Sequence, residues 1–365
     1  MMGFTRFLIF ALAAAATESS CLSASRNQSI IVHEAPQTVR PYVMPKYKGR
    51  AVLLSKTEVV RFAITANSSD GAFSMIQHNG KLSGYAAARF HTHRNVHEHV
   101  YCARGRVELW GQKNTTDSIQ EARVATLGDY GNFPIGSIHT FQLVDPDTQM
   151  THIFHPAGFE HLFDFYSLGD FDSSAVGSPY VPHVEDEPRF GPLTPELEAE
   201  LASVRLVHDR LNWHNGPNDL PTTYGEPYFV AKDHGKKFLN TENGYKVIQP
   251  LTNEATEKNF TIGTVIMSQK LNNESLTVTT LPHHFALQME DGQLILKVEG
   301  YESTAMLHGD VAFIPAGTRF TYHAAVPFTK FLYMNNGYKG LDYQLLENAV
   351  PWELPAYPPY AGFKA

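Results

Sequence analysis

Cysteine is nearly missing from this chain, with two in 365 residues, Cys21 and Cys102. That scarcity excludes a disulfide-stapled mini-fold and a four-cysteine zinc site. Long apolar runs are absent as well, and none reaches the ~18–20 residues a membrane-spanning helix needs. Positive charge is in deficit, with 29 Lys and Arg against 37 Asp and Glu and a net charge of -8. No basic stripe stands out, which argues against a nucleic-acid partner. Hydrophobic residues make up 43% and charged residues 18%, so the chain can bury a core and is not a disordered polymer. Its length fits two domains of ordinary size or one large one. The abundance that points to chemistry is histidine, with 18 copies.

The first residues set the expected compartment. Arg6 supplies a short positive start, residues 7–16 are apolar, and Ala14, Ala15 and Ala16 offer a small-residue cleavage site. This pattern predicts a secretory signal, so residues 1–24 are set aside as signal peptide and flexible N-terminus. Five N-x-S/T sequons fit a secreted glycoprotein: Asn27, Asn67, Asn114, Asn259 and Asn273. Cys102 sits in a strand-like run and reads as a small buried hydrophobe rather than a disulfide partner of Cys21.

The chain repeats itself. Pro41-Tyr42, Lys46 and Gly49 recur at the same spacing as Pro227-Tyr228, Lys232 and Gly235. The motif G-D-x4-P-x-G occurs at Gly128, Asp129, Pro134 and Gly136, and again at Gly309, Asp310, Pro315 and Gly317. The two pairs of segments lie 186 and 181 residues apart by these numbers, which implies a duplicated domain. Short β-branched and aromatic runs bounded by Gly and Pro predict an all-β barrel or sandwich in each copy. The expected order is a first barrel over 25–170, a linker over 171–226, a second barrel over 227–347 and a Pro-rich tail over 348–365. Within the linker, Thr194 as N-cap and Pro195 at the first helical position predict a helix near 195–210. The tail is expected to lack regular structure and to wrap the other domain or a second subunit, and a homodimer is compatible with the architecture.

The chemistry concentrates in residues 90–98, FHTHRNVHE. On a strand, residues two apart share a face, so His91 and His93 project together. Glu98 can return across a turn as a carboxylate, and His139 closes the second repeated motif. Three imidazoles and a carboxylate suit Cu, Fe, Mn, Ni, Co or Zn by ligand type alone. His97 and His99 read as outer supports of the site or as surface residues.

The pattern His91-x-His93-x4-Glu98-x6-Gly105 followed by Gly128-x5-Pro134-x-Gly136-x2-His139 resembles the two cupin motifs. IIVHEAPQTVRPYV (residues 30–43), DPDTQMT (145–151), Gly158-Phe159-Glu160 and DVAFIPAG (310–317) are similar to the fungal quercetin 2,3-dioxygenases, secreted bicupins that use copper. The resemblance implies an all-β bicupin: two tandem jelly-roll barrels, with metal in the first. It makes His91, His93, Glu98 and His139 the ligands and Glu98 the catalytic base, its pKa raised by a dry pocket. Copper then serves as Lewis acid and template while O2 opens a flavonol heterocycle, leaving a depside and carbon monoxide. By the same counting, Val278, Thr280, Phe285 and Phe320 stand at the ligand positions of the second half, so that barrel is expected to hold no metal.

Phe141, Met150 and Phe159 match positions around the family's flat, apolar substrate slot. The family has a tyrosine where this chain has Val60 and a phenylalanine where it has Val100. It has a small residue at His152 and an aliphatic one at Phe154. These departures leave the metal ligands intact and bear on the substrate. They keep open a metallocupin acting on another aromatic or polyketide-derived enol, by oxidation, isomerisation or cyclisation. A non-catalytic storage bicupin would not need a complete ligand set.

Overall fold

A computed structural model describes residues 28–81, 89–171, 217–257 and 259–364, with positions 194, 195, 197, 205 and 206 between them. The expected signal segment, Cys21, Asn27 and most of the linker helix lie outside those residues. One part of the helix expectation is overturned. Arg205–Leu206 is a strand, paired antiparallel with His91–Thr92. Backbone pairing with an exposed strand edge outweighs the helical spacing there.

The regular structure of the described residues is mostly strand, in two barrels. The first is an eight-stranded sheet facing a five-stranded one; the second is an eight-stranded sheet facing a four-stranded one. Strand His97–Arg104 lies between Thr148–His155 and Tyr130–Phe133 in the first large sheet. Strand Ile138–Leu143 pairs with His91–Thr92 and with Val107–Gln112 in the smaller sheet opposite. Many strands are buried on both faces, one toward their own barrel's interior and one toward neighbouring structure. Val60, Ile76, Phe154 and Phe159 form one core cluster, and Val100, Cys102, Leu109, Phe141 and Met150 form another. Cys102 is thus a buried apolar filler with a free thiol.

Each half lends a strand to the other. Tyr42–Met44, near the start, pairs with Val311–Ile314 in the second large sheet. Tyr228–Val230, from the second half, pairs with Tyr130–Phe133 in the first. The repeated motifs clasp these exchanged segments. Asp129 Oδ1 accepts from the Lys232 amide at 2.7 Å while Oδ2 accepts from the Thr126 amide at 2.7 Å. Asp310 does the same for the amides of Lys46 and Leu307, both at 2.8 Å. The preceding Gly128 and Gly309 have φ of +92° and +86°, and a Cβ on either would meet the Lys232 or Lys46 side chain at 2.9 or 2.7 Å. Only glycine meets both demands. The third core cluster lies between the barrels and draws Tyr42, Met75, Tyr101 and Ile153 together with Phe260, Phe313 and Met334.

The tail departs from expectation. Ala349–Pro351 is an edge strand on Phe238–Asn240, a position a proline tolerates. Trp352, Tyr357 and Phe363 pack on Leu239, Val247 and Ile266 of their own half, so apolar anchors hold the tail to the second barrel. Asn67, Asn114, Asn259 and Asn273 are all exposed.

Candidate metal centre

His91 is on a two-residue strand, His93 in the turn that follows, Glu98 on His97–Arg104 and His139 on Ile138–Leu143. Two tight connections bring them together. His139 sits opposite His91 in the antiparallel register. The Gly136 amide donates to the His93 carbonyl at 2.7 Å, which pins the His93 turn to the second motif. One ligand atom from each residue lies within 4.8 Å of the others, and all four residues are buried.

The donor chemistry fits a bound cation. His91 Nδ1 lies 2.7 Å from the Arg89 carbonyl and His139 Nδ1 lies 3.2 Å from the Ser137 carbonyl. A carbonyl can only accept, so both rings carry their proton on Nδ1 and turn a bare Nε2 inward. Glu98 Oε2 nevertheless lies 3.0 Å from Nε2 of both His93 and His139. A lone pair facing a carboxylate oxygen at that distance calls for a positive charge between them. Burial depresses the His91 and His93 pKa values and keeps these imidazoles neutral. For Glu98, burial pushes the pKa up, but contacts with His139, His152 and His93 outweigh it and hold the carboxyl well below the usual range. The expectation of a raised Glu98 pKa is therefore wrong. The pocket is dry but ringed by nitrogen, and neutral imidazoles with an ionised carboxylate are the forms that bind metal.

Aromatic rings wall the centre. Phe133 stacks on His139 with centroids 4.7 Å apart, and Phe159 meets His93 edge-on at 4.3 Å. Phe154 packs on Phe159 and lies parallel to His152. Phe141 meets His152 and His78 edge-on at 5.3 and 5.7 Å. Val60 lies in the Phe154–Phe159 cluster; Val100 and Met150 lie in the Phe141 cluster. The expected substrate residues thus flank the centre in two groups, with His152 between them. His152 Nδ1 is 2.7 Å from Glu98 Oε1. Behind it, His78 Nδ1 is 3.4 Å from His152 Nε2, and Glu58 approaches His78 at 3.8 Å. His78 and Phe133 are functional neighbours that sequence reading missed. The signal for His78 was alternation, since Ile76 and His78 share the inward face of Ser74–Gly80.

His97 and His99 serve neither the surface nor the metal. They point away from Glu98, toward the second half, because strand alternation puts them on the opposite face. His97 Nδ1 lies 2.8 Å from Glu257 Oε2, and the Tyr224 hydroxyl is 2.8 Å from His97 Nε2. His99 Nδ1 is 2.7 Å from the Tyr130 hydroxyl, and Asn132 donates to Glu257 Oε1 at 2.7 Å. Together they make a buried polar contact between the barrels.

The second barrel shows the matching place without ligands. Register puts Thr279 opposite Phe320, as His91 is opposite His139. The Gly317 amide donates to the Leu281 carbonyl, as Gly136 does to His93. The counterparts of His91 and His93 are therefore Thr279 and Leu281, one residue later than Val278 and Thr280. The turn before Phe285 is one residue shorter than the turn before Glu98, and counting from Gly292 could not detect this. Phe285 and Phe320 stack at 5.9 Å in the barrel core.

No protein-family model matches the chain. The structure resembles Bacillus subtilis oxalate decarboxylase, with a TM-score of 0.51 and 14% identity over 84% of this chain and 78% of that one. A tryptophan-to-phenylalanine variant of the same enzyme gives 0.52 at 14% identity, over 84% and 79%. That likeness supports the two-barrel fold. In sequence, the chain is 21% identical to a quercetin 2,3-dioxygenase of Bacillus subtilis, covering 84% of this chain and 85% of the relative. It is 34% identical to the quercetin 2,3-dioxygenase of Aspergillus japonicus over 349 residues, 90% of this chain and 98% of the relative. With that whole-length relationship and a complete ligand set in its first barrel, the chain belongs to the quercetin 2,3-dioxygenase family of bicupin enzymes.

Proposed function

We propose that this protein is a secreted, copper-dependent dioxygenase that opens the heterocycle of a flavonol such as quercetin with O2, giving a depside and carbon monoxide. The observation that carries this reading is the buried set of His91, His93, Glu98 and His139, with ligand atoms within 4.8 Å of one another. Copper bound there would supply Lewis-acid polarisation and an anchor for the substrate's enolic oxygen. Glu98, held ionised, accepts the proton of that enolic hydroxyl. His91 and His93, kept neutral by burial, would act with His139 as the nitrogen ligands. Phe141, Phe154 and Phe159 form apolar walls that fit a flat ring and exclude water. The exposed sequons and the apolar N-terminal segment support secretion and glycosylation.

One observation favours a second substrate reading. His152, with His78 behind it, puts a polar group against Glu98 where the family has a small residue, while Val60 and Val100 leave out two aromatic groups. That arrangement suits an aromatic or polyketide-derived enol with a hydrogen-bonding group near the reacting hydroxyl. Metal analysis of the purified protein, with headspace carbon monoxide measured over a flavonol panel under air and under argon, decides between the two. Copper near one per chain with oxygen-dependent carbon monoxide supports flavonol cleavage. Stoichiometric metal without carbon monoxide rejects flavonols and leaves the second reading.

A further inference from the structure

Three polar side chains run in a diagonal line across the inner face of the first large sheet. Phe154 stands opposite Glu98 in the register and His152 stands opposite Val100, so His152 is the diagonal neighbour of Glu98. On the next strand, His78 stands opposite Met150, which makes it the diagonal neighbour of His152. Side chains of this length reach across such diagonals. His152 Nδ1 is 2.7 Å from Glu98 Oε1, and His78 Nδ1 is 3.4 Å from His152 Nε2. All three residues are buried.

The line divides the two oxygens of Glu98. Oε2 lies 3.0 Å from Nε2 of both His93 and His139, on the side of the other ligands. Oε1 lies against His152. The terminal torsion of a glutamate is broad and two-fold, so an unrestrained carboxylate can turn either oxygen, or both, toward a metal. A carboxylate that binds metal is ionised and only accepts, so the proton of the 2.7 Å contact sits on His152 Nδ1. A hydrogen bond to an ionised acceptor is short and strong, and it fixes the carboxylate plane. His152 is itself fixed. Its ring lies parallel to Phe154 with centroids 5.9 Å apart and meets Phe141 edge-on at 5.3 Å, while His78 engages its other nitrogen.

We infer that His152 is a positioning residue of the metal centre, holding Oε1 of Glu98 so that Oε2 alone is presented beside the imidazoles. The inference rests on the reading of His91, His93, Glu98 and His139 as ligands and is independent of the substrate. The test uses the full-length, Cu2+-loaded protein, titrated with a competing chelator and read by electron paramagnetic resonance. His152→Phe keeps a flat ring between Phe141 and Phe154 but has no N–H. It should hold Cu2+ about 10–100-fold more weakly, the usual worth of a hydrogen bond behind a metal ligand, and show a changed copper hyperfine pattern. His152→Asn, whose amide nitrogen takes the place of Nδ1, should recover most of the affinity and the parent spectrum. Parent affinity and spectrum in His152→Phe would overturn the proposal. Equal losses in His152→Phe and His152→Asn would also overturn it, since packing alone would then explain the effect. Should His152→Phe not fold, His152→Leu, closer to histidine in volume, makes the same comparison with His152→Asn. Failure of the parent protein to hold one Cu2+ per chain is a separate result, which would overturn the ligand reading and this inference with it.

Discussion

The two barrels share a plan and differ in what fills it. Both carry the G-D-x4-P-x-G turn, both use its aspartate to clasp a strand from the other half, and both bring the same strands together at the same register. At the meeting point, the first barrel has three imidazoles and a carboxylate, and the second has Thr279, Leu281, Phe285 and Phe320. The scaffold thus tolerates either a metal centre or an apolar core at one location. What the centre adds is a ring of imidazole nitrogens around an ionised acid, a donor set that suits a cation. What the core adds is stacked rings that need nothing.

The largest effect that tests this contrast is metal loss. His139→Ala is expected to abolish stoichiometric metal and turnover, whereas Phe320→Ala at the matching place leaves both intact; elemental analysis of the two variants gives the answer. Glu98→Gln comes next. It should retain some metal and lose roughly 10²–10⁴-fold in turnover, the usual worth of a general base, and steady-state rates near those of the parent would remove Glu98 from the reaction. Phe320→Ala should cost about 3–5 kcal/mol of stability, as a large core truncation does, measured by urea unfolding.

The outer faces of the barrels differ too, and that difference predicts acid sensitivity. Register matches His99 of the first half to Ala286 of the second. Burial lowers the His99 pKa to about 4. The unfolded chain binds this proton at a higher pH than the native chain does. Stability is therefore fully present above the unfolded value of about 6.5 and is lost as pH falls toward 4. The loss is about 3 kcal/mol at 1.36 kcal/mol per pKa unit. A His99→Asn variant should show a flatter stability profile over that window, and identical profiles would assign the acid sensitivity elsewhere. The smallest expected effect is at the clasps. Asp129→Asn and Asp310→Asn should each cost about 1 kcal/mol, the worth of one such hydrogen bond, and by similar amounts. A strongly unequal pair of melting curves would show that the exchange of strands is not symmetric in energy.

Much of the fold and centre was legible in the chain because the signals are local. The duplicated motif, the His91–His93 alternation and the Gly-Asp turns each lie within a short span, where spacing alone determines geometry. Cys102 as a buried filler follows from its strand. What sequence left open depends on contacts between distant residues. The one-residue difference before Phe285 is visible only in the register of Thr279 against Phe320. The exchange of Tyr42–Met44 and Tyr228–Val230 is a choice of partner edge, to which local propensity is blind. His97 and His99 were misread because the second half covers a face that would otherwise meet solvent.

By itself, then, the sequence determined an all-β duplicated chain with one complete ligand set, since alternation and turn chemistry act over a few residues. Tertiary structure alone decided the ionisation of Glu98. Burial raises the pKa of any carboxyl, and the net direction depends on three histidines that strands as far apart as residues 93 and 152 bring to its two oxygens. It likewise decided the position of Arg61, a cation whose two aromatic neighbours, Tyr47 and Phe171, come together only once the chain has folded.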